Sequence, residues 1–192
     1  MIADLGVRPE QVVVVPNARC GPGRVKTSTL LHQHLGLNVS TPVLLCPGTM
    51  TPAFDTATAV RLAQSMPADW RCVIHSAQPR NADDPYVQEL KALDTQHRVD
   101  FSLKPLPYAQ IDELLSSARI GLVLYSSEVG QNTSAVGLAS GKLSHFLKLG
   151  VPVIVSPVTF TYVPSTRAVT SLVTTGVFPV TRPKVSSVTF TK

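Results

Sequence analysis

Short apolar runs alternate along this chain with stretches whose apolar residues recur at helical spacing, and no other feature limits the fold so tightly. Val12 to Val15 form one run, closed by Pro16 and Asn17; the others are Val43 to Cys46, Cys72 to Ile74, Ile120 to Tyr125 and Val151 to Val155, with a weaker strand signal at Val99 to Leu103. Runs this short and this continuous suit strands buried on both faces. Between them Ala57, Val60, Leu62 and Ala63 precede Pro67, followed by Val87, Leu90 and Leu93, by Ile111, Leu114, Leu115 and Ala118, and by Leu143, Phe146, Leu147 and Leu149 ahead of Gly150. Strand then helix, repeated, predicts βαβ units: an α/β, Rossmann-like three-layer domain with a parallel sheet and helices on both faces. Asp84 before Pro85 at a helix start and Gly150 just past a helix end agree with it. Residues 18–29, rich in Gly, Pro and Arg, read as a surface loop that leads into the apolar stretch Leu30 to Leu37.

At 192 residues the chain has the size of one such domain and is too small for a two-domain enzyme. Its apolar runs are too short to cross a bilayer, so no integral membrane segment is expected. The start, MIADLGVRPEQ, lacks a basic segment followed by an apolar one, which points to a cytoplasmic address. A net charge of +5 raises nucleic acid as a partner, yet all 12 acidic residues lie in 1–128 beside 11 of the 17 Lys and Arg, so the basicity belongs to the last third. No basic helix face with interleaved aromatics is present, and nucleic acid is not expected. Cys20, Cys46 and Cys72 are single and widely spaced, which reads as buried reduced thiols.

The composition changes after residue 156. Residues 157–192 hold nine Thr, eight Val, four Ser and four Pro, without an acid or a helical period. The expected organisation is a Rossmann-like domain over 1–156 and an irregular tail over 157–192, of the kind a shifted or truncated reading frame leaves.

Ligands of open parallel sheets bind at the carboxyl ends of strands, where loops meet helix N-termini. Four such places can be read. The loop of Pro47, Gly48, Thr49, Met50, Thr51 and Pro52 offers close backbone approach and hydroxyl donors, or is an ordinary βα turn. His75 and Ser76 follow the run RCVI, where an imidazole binds a ligand, moves a proton or bonds a nearby carbonyl. Residues 102–108, SLKPLPY, form an extended loop that could edge a ring, with Lys104 as a solvated charge.

The fourth place says most: Ser140 can cap a helix, Gly141 lets an anion near the backbone, and Lys142 puts a cation in the first turn, where the macrodipole disfavours one unless an anion sits opposite. Leu143 stands where a Walker A loop needs Ser or Thr, so ATP hydrolysis is not expected. No nucleophile elbow and no metal-ligand spacing occur, so neither a catalytic triad nor a metal site is expected. His32 and His34 read as surface residues, and the acid pairs Asp83 with Asp84 and Asp112 with Glu113 as helix caps.

The order of these pieces resembles the C-terminal, donor-binding domain of GT-B fold glycosyltransferases, in the large group of retaining bacterial sugar transferases of families one and four. The likeness covers about residues 3–156. LGVRPEQVVVVPNA looks like the first strand, LGLNVSTPVLLCPG like the next strand and its glycine, LPYAQIDELLSSARIGLVLYSSE like the helix and strand before the donor site, and SGKLSHFLKLGVPVIVS like the closing helix and its Gly-x-Pro-Val-Ile. The resemblance implies that Ser140, Gly141 and Lys142 meet the diphosphate of a nucleoside diphosphate sugar, with Gly48 and Thr49 beside it. It implies that Glu128 contacts the donor sugar and that Lys142 neutralises the leaving group.

Two positions depart from the family pattern. His145 stands where a second glutamate would meet the ribose, and GTMTPAFDT lacks the usual Arg and Lys. With His75, these residues make up the candidate donor site. The implied function is transfer of a sugar from that donor to a carbohydrate or lipid-linked acceptor, through an N-terminal acceptor domain that this chain lacks, with no cofactor beyond the donor itself. The isolated chain is then expected to bind donor without turning it over. The alternatives are a non-catalytic or degraded nucleotide-binding module of Rossmann type, and a sugar-nucleotide epimerase of the same architecture.

Overall fold

The computed structural model describes residues 27–126 and 140–156. Within them five strands, β1 (Val43–Gly48), β2 (Arg71–Ser76), β3 (Val99–Ser102), β4 (Ile120–Val123) and β5 (Val153–Val155), form one sheet in the order β3-β2-β1-β4-β5. Every pairing is parallel. The predicted α/β, Rossmann-like sheet is therefore present, each strand falling on one of the apolar runs. The Val12 to Val15 run, the tail over 157–192 and Cys20 lie outside the described residues.

The two faces of the sheet carry separate cores. Val43, Leu45, Val73 and Val123 pack with α1 (Leu30–Leu35), α4 (Ile111–Ser116) and α5 (Gly141–Lys148) through Leu31, Leu114 and Phe146. Leu44, Cys46, Cys72, Ile74 and Leu122 pack on the other face with α2 (Thr56–Gln64) and α3 (Pro85–Leu93) through Val60, Ala63, Val87 and Leu90. Alternate residues of one strand thus enter opposite cores, which is why the runs show no polar break. Burying each of the Val, Leu, Ile and Phe side chains among them contributes roughly 1.5–3 kcal/mol.

Caps fix where the helices begin and end. Asp84 accepts from the amides of Tyr86 and Val87 while Pro85 opens α3. Gly150, at φ +67°, closes α5 in a Schellman turn in which Val151 N donates to the Phe146 carbonyl and Gly150 N to that of Leu147. Asp112 differs from expectation. It lies in the first turn of α4, but its carboxylate crosses to α5, accepting from Lys148 Nζ at 3.1 Å and pairing with His145. An acid in a first turn is favoured by the dipole whether or not it caps, so sequence does not separate the two roles.

Two further expectations are corrected. His32 is buried, because Leu30–Leu35 forms the helix α1, closed by Gly36 at φ +66°, and its Nε2 donates to the Thr41 carbonyl at 2.9 Å. Leu147, counted on the apolar face of its helix, is 63% exposed, since α5 turns Leu143 and Phe146 to the sheet instead.

Candidate functional site

The order β3-β2-β1-β4-β5 puts the reversal of strand order between β1 and β4, the place where open α/β sheets bind ligands. Sequence opens that crevice directly. On β1 the backbone groups of Val43, Leu45 and Pro47 face β4, as shown by Arg119 N donating to the Val43 carbonyl at 2.9 Å, whereas those of Pro42 and Gly48 face β2. Pro47 has no N–H to offer β4, and the β1–β4 register stops at Leu45↔Gly121 while β1–β2 continues to Gly48↔Ser76. Beyond that point the two strands part.

Gly48 lies at the end of β1 with φ +133°, a conformation that side chains rarely adopt. A Cβ there would stand 3.3 Å from Lys142 Cδ and 3.4 Å from Nζ. The lysine therefore reaches across the crevice from the first turn of α5 and lies on the glycine. Thr49 and Met50 continue the rim, and the narrow recess beneath is lined by Cys46, Phe54, Thr56 and Ile74.

What brings Lys142 there is the seating of α5. Ser140, at the N-cap, accepts from Leu143 N at 3.2 Å, and its hydroxyl shares a second hydrogen bond with the Tyr125 hydroxyl at 2.9 Å. Gly121, inside β4, leaves room for the Phe146 ring: a Cβ at that position would lie 2.6 Å from it. Asp112 ties the middle of α5 to α4 through His145 and Lys148. The amides of Gly141 and Lys142, first in the helix, have no hydrogen-bond partner among the described residues, as the start of a helix dictates.

The Lys142 ammonium has an apolar setting. Its Nζ lies 4.5 Å from the Phe54 ring centre and 4.7 Å from that of Tyr125, and it makes no hydrogen bond or ion pair among the described residues. Burial pushes its pKa below the ordinary lysine value, with the neighbouring Cys46 acting the other way. Cys46 is itself buried, and that burial pushes its thiol up to about 11. Among the described residues the crevice thus brings together one cation, lying on Gly48, two aromatic faces and unpaired helix amides, a combination suited to an anion with a flat or apolar body attached.

The candidate residues from sequence divide clearly. Gly48, Thr49, Ser140, Gly141 and Lys142 come together at the switch point. Glu128 lies outside the described residues. His75 lies next to the end of β2 at Ser76, one strand away; it is buried, its Nδ1 bonded to the Ser102 hydroxyl at 2.8 Å, and burial, with His34 nearby, pushes its pKa down to about 4. His145 is buried with Nε2 committed to Asp112, which that bond holds below the usual carboxylate range.

Sequence reasoning missed Phe54 and Tyr125. Each is an aromatic residue shortly after the end of a strand flanking the switch point, and that position is the signal that could have found them. Among the described residues no group of His, Cys, Asp and Glu converges as a metal site, and no helix is long and apolar enough to cross a membrane.

No model of a protein family matches this chain, and no curated protein matches it. Among solved structures, the sucrose-phosphate synthase of Thermosynechococcus elongatus is similar over 71% of this chain, at 18% identity and a TM-score of 0.42. The chain spans 34% of that protein's length.

Proposed function

We propose that this chain is the donor-binding domain of a GT-B glycosyltransferase, holding a nucleoside diphosphate sugar whose glycosyl group passes, in a complete enzyme, to a carbohydrate or lipid-linked acceptor. The observation that carries the reading is the placement of Lys142 over Gly48 at the β1/β4 switch point, beside the free amides of α5. A diphosphate there gains the helix N-terminus and a cation in a poorly hydrated site, where both act more strongly than in water. As the glycosyl bond breaks, negative charge grows on the leaving diphosphate, and the Lys142 ammonium is already placed to offset it.

Each residue has a distinct part in this proposal. Gly141 and Lys142 donate backbone N–H groups, Gly48 and Thr49 close the opposite wall, and Ser140 acts through the cap, since its hydroxyl is shared between Leu143 and Tyr125. Glu128 takes the donor sugar by resemblance alone. His145, whose Nε2 Asp112 holds, has only its other ring edge to offer the ribose. Lys142 and the helix dipole supply the charge that a divalent cation supplies elsewhere, so binding is expected without metal.

Calorimetric titration with UDP, GDP and ADP, without metal and then with magnesium, tests this. Metal-free binding of one nucleotide, weakened at least about tenfold by Lys142→Ala, is expected. No binding to the folded chain, or a strict need for manganese, would contradict it.

A further inference from the structure

A lysine aimed at an anion needs something to keep it there while the site is empty, and in proteins that partner is ordinarily a carboxylate or a carbonyl. Lys142 has neither among the described residues. It has two aromatic faces, Phe54 and Tyr125, whose rings meet each other at 5.6 Å and 59°. They come from opposite sides of the crevice: Phe54 ends the 3-10 turn Pro52–Phe54 after β1, and Tyr125 follows β4.

We propose that Phe54 and Tyr125 are positioning residues that hold the Lys142 side chain over Gly48 as a cation, so that the crevice keeps its charge at the end of β1 before an anion arrives. This rests on reading the crevice as a diphosphate site. The negative face of an aromatic ring attracts an ammonium, the more so where water is scarce, but unlike a carboxylate it leaves the net charge uncancelled and the N–H donors free. An ion pair in the same place would have to be broken by the incoming anion.

The surroundings agree. Of the titratable groups facing the ammonium, Cys46 from β1 carries a thiol whose own pKa is raised, so it is neutral at pH 7, and Tyr125, just after β4, has its hydroxyl committed to Ser140. Asp55, next to Phe54, makes no ion pair with the lysine among the described residues. Burial works against the charged form, and the two rings oppose that loss.

The test uses the full chain and reads the lysine without any nucleotide. The rate of Lys142 acetylation by acetic anhydride, followed by peptide mass spectrometry across pH, gives its titration midpoint. Phe54→Leu keeps the bulk and removes the ring face; the midpoint should fall by about half a unit, and UDP binding should weaken about two- to fivefold. Phe54→Tyr should restore both, whereas a role in packing alone would move neither midpoint. Phe54→Met replaces the leucine variant should that one fail to fold.

An unchanged midpoint in Phe54→Leu overturns the proposal, even where the wild-type chain binds UDP. A shifted midpoint in a chain that binds no nucleoside diphosphate upholds the ring contact and overturns the donor site it was said to serve.

Discussion

The hydroxyls of Tyr125 and Ser140 stand 2.9 Å apart, joining the segment just after β4 to the N-cap of α5. Because the same Tyr125 ring lies under the Lys142 ammonium and the same Ser140 oxygen caps the helix, one tyrosine couples strand, cap and cation.

That coupling predicts non-additive stability changes. Ser140→Ala removes the cap and should cost about 1 kcal/mol. Tyr125→Phe keeps the ring and removes the shared bond, which should cost a further ~1 kcal/mol at most. The double variant should lose less than the sum, since each single change already breaks the same bond. Urea unfolding measures all three, and strict additivity would show that the two hydroxyls do not act together.

Gly121→Ala should destabilise the domain by about 1–3 kcal/mol, because its Cβ would lie 2.6 Å from the Phe146 ring in a core that cannot yield. Phe146→Leu in that background should recover part of the loss. A neutral Gly121→Ala would mean that α5 does not sit on β4 as described.

Most of the fold was legible because its strands are buried on both faces, and a run such as Val43 to Cys46 has no other reading of that length. Gly150 and Asp84 were legible as caps because each does its work locally. The first helix was not: Leu31 and Leu35 have helical spacing, but two histidines between them hide it, and His32 is buried only because Thr41 lies opposite its ring. In the site, Ser140, Gly141 and Lys142 form a helix start that reads from sequence alone. The partners that set its chemistry do not, since Asp112 lies 33 residues from His145 and Phe54 far from Lys142 in the chain. Only the fold brings them together.

His75 predicts the pH dependence. Its folded pKa of about 4 lies below the ordinary 6.5, so between those values the unfolded chain binds more protons and stability falls with the pH. Above pH 6.5 its contribution is constant. The full shift corresponds to about 3 kcal/mol; after relaxation of the site, a loss of about 2 kcal/mol between pH 6.5 and 4 is expected. His75→Asn should flatten that part of the profile of urea midpoints against pH. An equally steep profile in the variant would place the loss elsewhere.

The account turns on where an anion binds. The most direct measurement is a titration of the 15N-labelled chain with UDP, metal-free, following backbone amide shifts. Saturable shifts centred on Gly48, Thr49, Gly141 and Lys142, abolished in Lys142→Ala while the fold persists, are the predicted result. Shifts centred instead on the polar depression at Pro79 to Asp84, or none at all in a folded chain, would contradict it.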